Sequence, residues 1–98
     1  MHTLTAIIRA RKGSEATVRA ELLKVGAFAR DHEPETIGFF VAQDPDDPCL
    51  FTTYERFTDK AAMERHNNGA GSQGFFAAAG DLLDGEVTVV TASEVWPE

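Results

Sequence analysis

Ile37–Phe57 reads IGFFVAQDPDDPCLFTTYERF, and the placement of the remaining elements follows from this stretch. Ile37, Phe39 and Val41 share one face of an extended segment while Gly38, Phe40 and Ala42 share the other, so both faces are apolar and both need cover. Asp44-Pro45-Asp46-Asp47-Pro48 is a dense turn signal. Cys49 to Phe57, rich in Phe, Thr and Tyr, then reads as the return strand of an antiparallel hairpin.

Upstream, Thr3 to Arg11 alternates, with Leu4, Ala6, Ile8 and Ala10 on one face and Thr3, Thr5, Ile7, Arg9 and Arg11 on the other. Lys12-Gly13 breaks this strand, Ser14 is placed to cap a helix, and Glu15 suits the positive end of its dipole. Val18, Leu22, Val25 and Ala29, joined by Leu23 and Phe28, predict a helix over 15–31, ended by His32-Glu33-Pro34. Downstream, Thr58 or Asp59 can cap a short helix from Asp59 to His66, with Ala62, Met63 and His66 on one side. Asn67-Asn68-Gly69-Ala70-Gly71 interrupts the pattern. Ser72 then caps a third helix carrying Phe75, Phe76, Ala79, Leu82 and Leu83, which ends at Asp84-Gly85. Glu86 to Trp96 is the last strand, with Val87, Val89, Val90 and Val95.

The order β-α-β-β-α-α-β predicts an α+β, ferredoxin-like fold with helices on one face of a four-stranded antiparallel sheet. Ile7, Phe39 or Phe40, Phe51 and the valines of the last strand leave neither sheet face purely polar, yet the helices can cover only one. A second copy of the chain supplies the simplest cover, so a homodimer is expected.

A chain of 98 residues makes one domain, 1–98, and buries only about two-thirds of the surface its unfolded form exposes, which also favours association. Its 43% apolar and 26% charged content is that of a folded protein. A formal charge of -7, with no basic run denser than Arg9, Arg11 and Lys12, argues against a nucleic-acid partner. No stretch is long and apolar enough for a membrane span, and MHTLTAIIRARKG alternates like a strand and not like a signal peptide. The lone Cys49 excludes an intrachain disulfide and fits a reducing, cytoplasmic setting.

Gly69-Ala70-Gly71-Ser72-Gln73-Gly74 spells G-x-G-x-x-G, yet a helix precedes it and no parallel crossover follows, so no dinucleotide site is expected. As a glycine-rich turn opening a helix it can still hold a phosphate or carboxylate. His2, His32 and His66 lack ligand spacing, so no metal is expected; Cys49 has no basic neighbour and reads as an idle thiol. Tyr54 and Arg56 share a strand face, where they either line a pocket or form a cross-strand pair. Asn67 and Asn68 either donate to a ligand or terminate their helix, and Trp96 suits a dimer contact.

The order of elements and the strings TAIIRARKG (Thr5–Gly13), IGFFVAQDPDDPCLFTTYERF (Ile37–Phe57), TDKAAMERH (Thr58–His66) and FFAAAGDLLDGEVTV (Phe75–Val89) resemble the antibiotic biosynthesis monooxygenase family. The resemblance implies a dimeric α/β barrel, in which the sheets of two subunits face each other and each subunit holds a pocket between sheet and helices. It implies chemistry on a small or polycyclic aromatic quinol or phenol with O2, without metal or flavin. Branches of the family instead isomerise a phosphorylated carbonyl compound or degrade haem. The haem branch carries an asparagine, a tryptophan and a histidine where this chain has Ala6, His66 and an aromatic or alanine.

Cofactor-free oxygenation requires the substrate to supply the electrons, so the protein needs a pocket base and a few hydrogen-bond donors. His66 matches the histidine that many relatives carry at the end of this helix, and its position aims it toward the sheet as base or orienting group. Phe39, Phe75, Asn67, Tyr54 and Arg56 are the candidate substrate contacts. A second family histidine and its following aromatic are replaced here by Gly71 and Ser72, which leaves a non-catalytic binding module as a further alternative.

Overall fold

The computed structural model describes residues 1–97. Its elements are β1 (His2–Arg9), α1 (Glu15–His32), β2 (Thr36–Gln43), β3 (Leu50–Phe57), α2 (Lys60–Asn68), α3 (Ala70–Ala79), a single 3₁₀ turn (Gly80–Leu82) and β4 (Thr88–Ser93). The four strands form one antiparallel sheet in the order β2-β3-β1-β4, the ferredoxin-like arrangement expected from the sequence.

The hairpin is tied by its turn: Asp44 Oδ1 accepts the backbone N–H groups of Asp46 at 2.8 Å and Asp47 at 3.3 Å. β2 departs from strict alternation. Thr36 pairs with Phe57 and Gly38 with Arg56, so Ile37 is the extra residue of a β-bulge. The bulge leaves Ile37 47% exposed and off the inward face that Phe39 and Val41 occupy.

Several caps and boundaries differ from the sequence reading; the third helix, for one, ends at Ala79 and gives way to the 3₁₀ turn before Leu83. Ser14 makes no side-chain cap; α1 instead starts on the bond from the Val18 N–H to the Ser14 carbonyl. The glycine-rich string is not a loop, because Gly69 alone, in an extended conformation, separates α2 from α3, and Ala70 to Gly74 are already helical. Ser72 is therefore a buried residue of the first turn of α3 and not its cap. The last strand is shorter than expected, and Trp96 lies beyond it, 78% exposed. Asp59 does cap α2, accepting the Ala62 N–H at 2.8 Å.

The helices cover one sheet face, where Leu4, Ala6 and Ile8 of β1 and Phe51 and Phe57 of β3 meet Val18, Leu22 and Val25 of α1, Met63 of α2 and Phe75 of α3. Burial of each large side chain contributes about 1.5–3 kcal/mol. The opposite face carries Thr5, Ile7, Phe40, Tyr54 and Val90, brought side by side by the strand register. It has no cover within the chain: Phe40 and Val90 are each 59% exposed.

Candidate active site

Pro34 forces the chain out of α1, and this exit leaves Glu33 at the helix end, its own N–H bonded to the Ala29 carbonyl. On β3, alternation turns Phe51, Thr53, Glu55 and Phe57 inward, so one carboxylate enters the layer between sheet and helices. On α2, Ala62, Met63 and His66 form the buried side. The imidazole of His66, 3% exposed, thus meets a carboxylate on each side of its ring.

His66 Nδ1 lies 2.6 Å from Glu33 Oε1, which also accepts the Thr36 hydroxyl at 2.9 Å. His66 Nε2 lies 3.1 Å from Glu55 Oε1, while Glu55 Oε2 accepts the Thr53 hydroxyl at 2.8 Å. The Nε2–Oε1 contact is close without being an aligned hydrogen bond, so Glu55 Oε1 is buried with no directed donor among the described residues. Phe57 and Phe39 pack against the imidazole at ring separations of 5.3 and 5.7 Å. Burial opposes charge on His66, but the Glu55 and Glu33 carboxylates outweigh it and hold the His66 pKa above the ordinary histidine value.

This polar cluster closes one end of a partly open cavity of about 200 Å³, whose walls are mainly apolar side chains from β1, α1, α3 and the β4 edge. Of the residues singled out in the sequence, His66, Asn67, Phe75 and Phe39 line it. Tyr54 and Arg56 do not. They lie on the open sheet face, where the Tyr54 hydroxyl donates to Glu94 at 2.9 Å and Arg56 donates two bonds to the same carboxylate at 2.7 and 2.9 Å. Arg56, against the opposing effect of burial and with help from Tyr54, holds Glu94 down to about 2. The two residues share the Glu94 carboxylate on this face, because their even positions on β3 point away from Thr53 and Glu55.

Ser72 and Glu55 reach the cavity although the sequence reading did not select them, and Glu33 reaches it through His66. The signal for Glu55 was legible: it is the charged residue in inward phase with Phe51, Thr53 and Phe57. Cys49 is half-buried with Sγ 3.8 Å from Glu15, and burial together with that carboxylate pushes its thiol pKa up, away from a nucleophile. Among the described residues no group of three or more His, Cys, Asp or Glu side chains is arranged to hold a metal ion, and no helix is long and apolar enough to cross a membrane.

Fold and site together define a ferredoxin-like α+β domain with a histidine–carboxylate cluster at the base of an apolar cavity. The profile of the antibiotic biosynthesis monooxygenase family matches residues 1–78, and the chain belongs to that family. No curated protein sequence matches the chain significantly. Among solved structures, a candidate antibiotic biosynthesis monooxygenase of Nitrosomonas europaea has a TM-score of 0.91 at 16% identity, the match covering 98% of this chain and 100% of that one. PA3566 of Pseudomonas aeruginosa is 30% identical, with a TM-score of 0.86 and coverage of 96% and 93%. Rv0793 of Mycobacterium tuberculosis has a TM-score of 0.86 at 19% identity, with coverage of 96% and 94%.

Proposed function

We propose that this protein is a cofactor-independent monooxygenase that oxidises a small phenol or quinol with O2 and works as a homodimer in the cytoplasm. The observation that carries the proposal is the cluster of His66, Glu55 and Glu33 as the polar end of an otherwise apolar, aromatic-lined cavity. Such a site takes a flat apolar ring and meets its hydroxyl with buried ionisable groups. In the reaction the substrate supplies two hydrogens and their electrons; one oxygen atom enters the product and the other leaves as water. The protein's share is to bind the ring, ionise the hydroxyl and exclude bulk water. Phe39 and Phe75 pack on the ring, Asn67 offers a donor at the cavity wall, and His66 orients the hydroxyl.

Size narrows the substrate. An apolar cavity of about 150 Å³ is enough for benzene, so about 200 Å³ here suits a single ring with its substituents. A polycyclic substrate has to project through the open side by Phe76 and Val89. Isomerisation of a phosphorylated carbonyl compound finds less support, because Glu33 and Glu55 repel a phosphate and the glycine string is wound into α3. A homodimer accounts for the apolar sheet face that the chain leaves uncovered.

The test is oxygen uptake over a panel of single-ring quinols, naphthoquinols and anthrone-like phenols. His66→Ala lowers the rate on the best substrate by about a hundredfold or more, the scale of a positioned polar group in acid–base chemistry. An unchanged rate in a folded His66→Ala protein removes His66 from the reaction, and absence of uptake across the panel removes the oxygenase reading in favour of a binding module.

A further inference from the structure

His66 is poorly disposed to be the base itself. Both of its nitrogens face carboxylates, 2.6 and 3.1 Å away, so neither is free to take a proton from a ligand in the cavity. The cavity also contains an acceptor without an aligned donor. Glu55 Oε1 is buried, belongs to a side chain only 7% exposed, and has no aligned donor among the described residues. A buried carboxylate oxygen without a donor is costly, and a ligand hydroxyl entering this cavity is the group that satisfies it.

On the far side of the imidazole, Glu33 is in a different position. Its side chain is 16% exposed and it lines a surface cleft beside the β2 edge, together with Arg30, Pro34, Thr36 and Ile37. Glu55 faces the cavity, Glu33 faces water, and His66 lies between them with its nitrogens 3.1 and 2.6 Å from the two carboxylates. These are the only ionisable groups acting on His66 among the described residues. Arg30, the other charged side chain lining the cleft, is paired with Asp31.

We propose that Glu55 is the catalytic base of this site and that His66 and Glu33 form a proton path from it to the cleft beside β2. The proposal rests on the cavity being a phenol or quinol site. The substrate O–H bond breaks and its proton goes to Glu55 Oε1, leaving a phenolate beside a neutral carboxylic acid that can donate back to it. In its neutral form His66 carries its proton on Nδ1, toward Glu33, and turns the Nε2 lone pair toward Glu55; Glu55 then passes the substrate proton to His66 Nε2 as His66 Nδ1 gives its own to Glu33, and Glu33 releases it to water in the cleft. Charge and protons balance at each transfer: His66 takes one proton and gives one, ending as its other neutral tautomer, which resets by exchange with water, and the net change is one proton moved from substrate to solvent. His66 and Glu33 are positioning and relay groups; of the three, only Glu55 takes the proton from the substrate.

The experiment uses the full chain, with 4-nitrophenol as an acidic phenol probe and hydroquinone as the quinol. Carbon NMR of the glutamate carboxyls in the unsubstituted protein reads the first step without turnover. On adding 4-nitrophenol the Glu55 carboxyl resonance should move toward the protonated form, and a Glu55 signal that stays ionised with the probe bound overturns its role. Exchange of the His66 ring N–H protons with water, followed by nitrogen-detected NMR, reads the path. Glu33→Gln should slow that exchange by about tenfold or more, because a primary amide is a far weaker proton acceptor than a carboxylate; unchanged exchange overturns the path. Where hydroquinone is oxidised, Glu55→Gln, which preserves shape, should lower kcat by about a hundredfold or more with little change in KM. If hydroquinone and the wider panel are not oxidised, the oxygenase reading fails, while the two NMR measurements still decide whether Glu55 accepts a proton and Glu33 delivers it.

Discussion

Gly71 lies in the first turn of α3, and the packing of α3 on α1 predicts what any side chain there will do. A Cβ built on Gly71 falls 2.8 Å from Phe28 Cδ1, 3.1 Å from Cγ and 3.3 Å from Cβ. These are atoms near the root of the phenylalanine side chain, so they move only if α1 moves with them. Gly74, one turn further along the same helix, has nothing within 4 Å. Gly74→Ala should therefore gain the helix-propensity difference of about 0.8–1 kcal/mol. Gly71→Ala gains at most the same and loses about 1–3 kcal/mol to overpacking. At about 4–8 °C per kcal/mol for a domain of this size, Gly74→Ala should melt several degrees above the parent protein. Gly71→Ala should melt roughly 4–24 °C below Gly74→Ala, taking the 1–3 kcal/mol packing difference at the same conversion. Calorimetry at equal protein concentration measures both, the equal concentration being needed because association shifts the midpoint. If Gly71→Ala melts as high as Gly74→Ala, the close approach of α3 to Phe28 is wrong. Gly71→His should be harsher still, because a larger side chain meets the same Phe28 atoms.

The raised His66 pKa makes stability depend on pH in a defined direction. The contribution is fully present below the unfolded value of about 6.5 and is lost as pH rises through the higher folded pKa. The melting temperature should therefore decline from near neutral pH upward, and His66→Phe should flatten that decline; an equal slope in both proteins counts against the His66–carboxylate cluster. Glu94, held down to about 2 from an ordinary 4.5, works in the opposite sense. Its contribution is present above the unfolded value and lost as pH falls toward 2, so Glu94→Gln should reduce the acid loss of stability in that window. The open sheet face should hold two chains together, with light scattering giving twice 10.7 kDa. Phe40→Glu, which places a charge at a 59% exposed apolar position of that face, should shift the protein toward monomer without abolishing α1 or the helix-side core; an unaltered mass requires a different cover for the face.

What the sequence determined by itself was local. Alternation in Thr3–Arg11 and Cys49–Phe57, helical spacing of Val18, Leu22, Val25 and Ala29, and the Asp-Pro turn specify strands, helix and hairpin because each depends on residues only a few positions apart. The same parity, followed strictly, already sets Glu55 inward and Tyr54 and Arg56 outward. The start of α3 was not legible, since Gly69 to Gly74 is equally consistent with a loop until Phe28 packs against Gly71 and excludes larger residues. The site was legible in part: His66 shows in the sequence as an inward helical residue, but its charge state does not. Glu33 and His66 are 33 residues apart in the chain, and only the docking of α2 between the end of α1 and strand β3 brings their side chains to 2.6 Å. Tertiary structure alone decided that Glu33, which lines the surface cleft, meets the same imidazole as Glu55, which lines the cavity. The physical reason is that a pKa and a proton path are properties of distance and burial, and neither is written in the spacing of residues along one element.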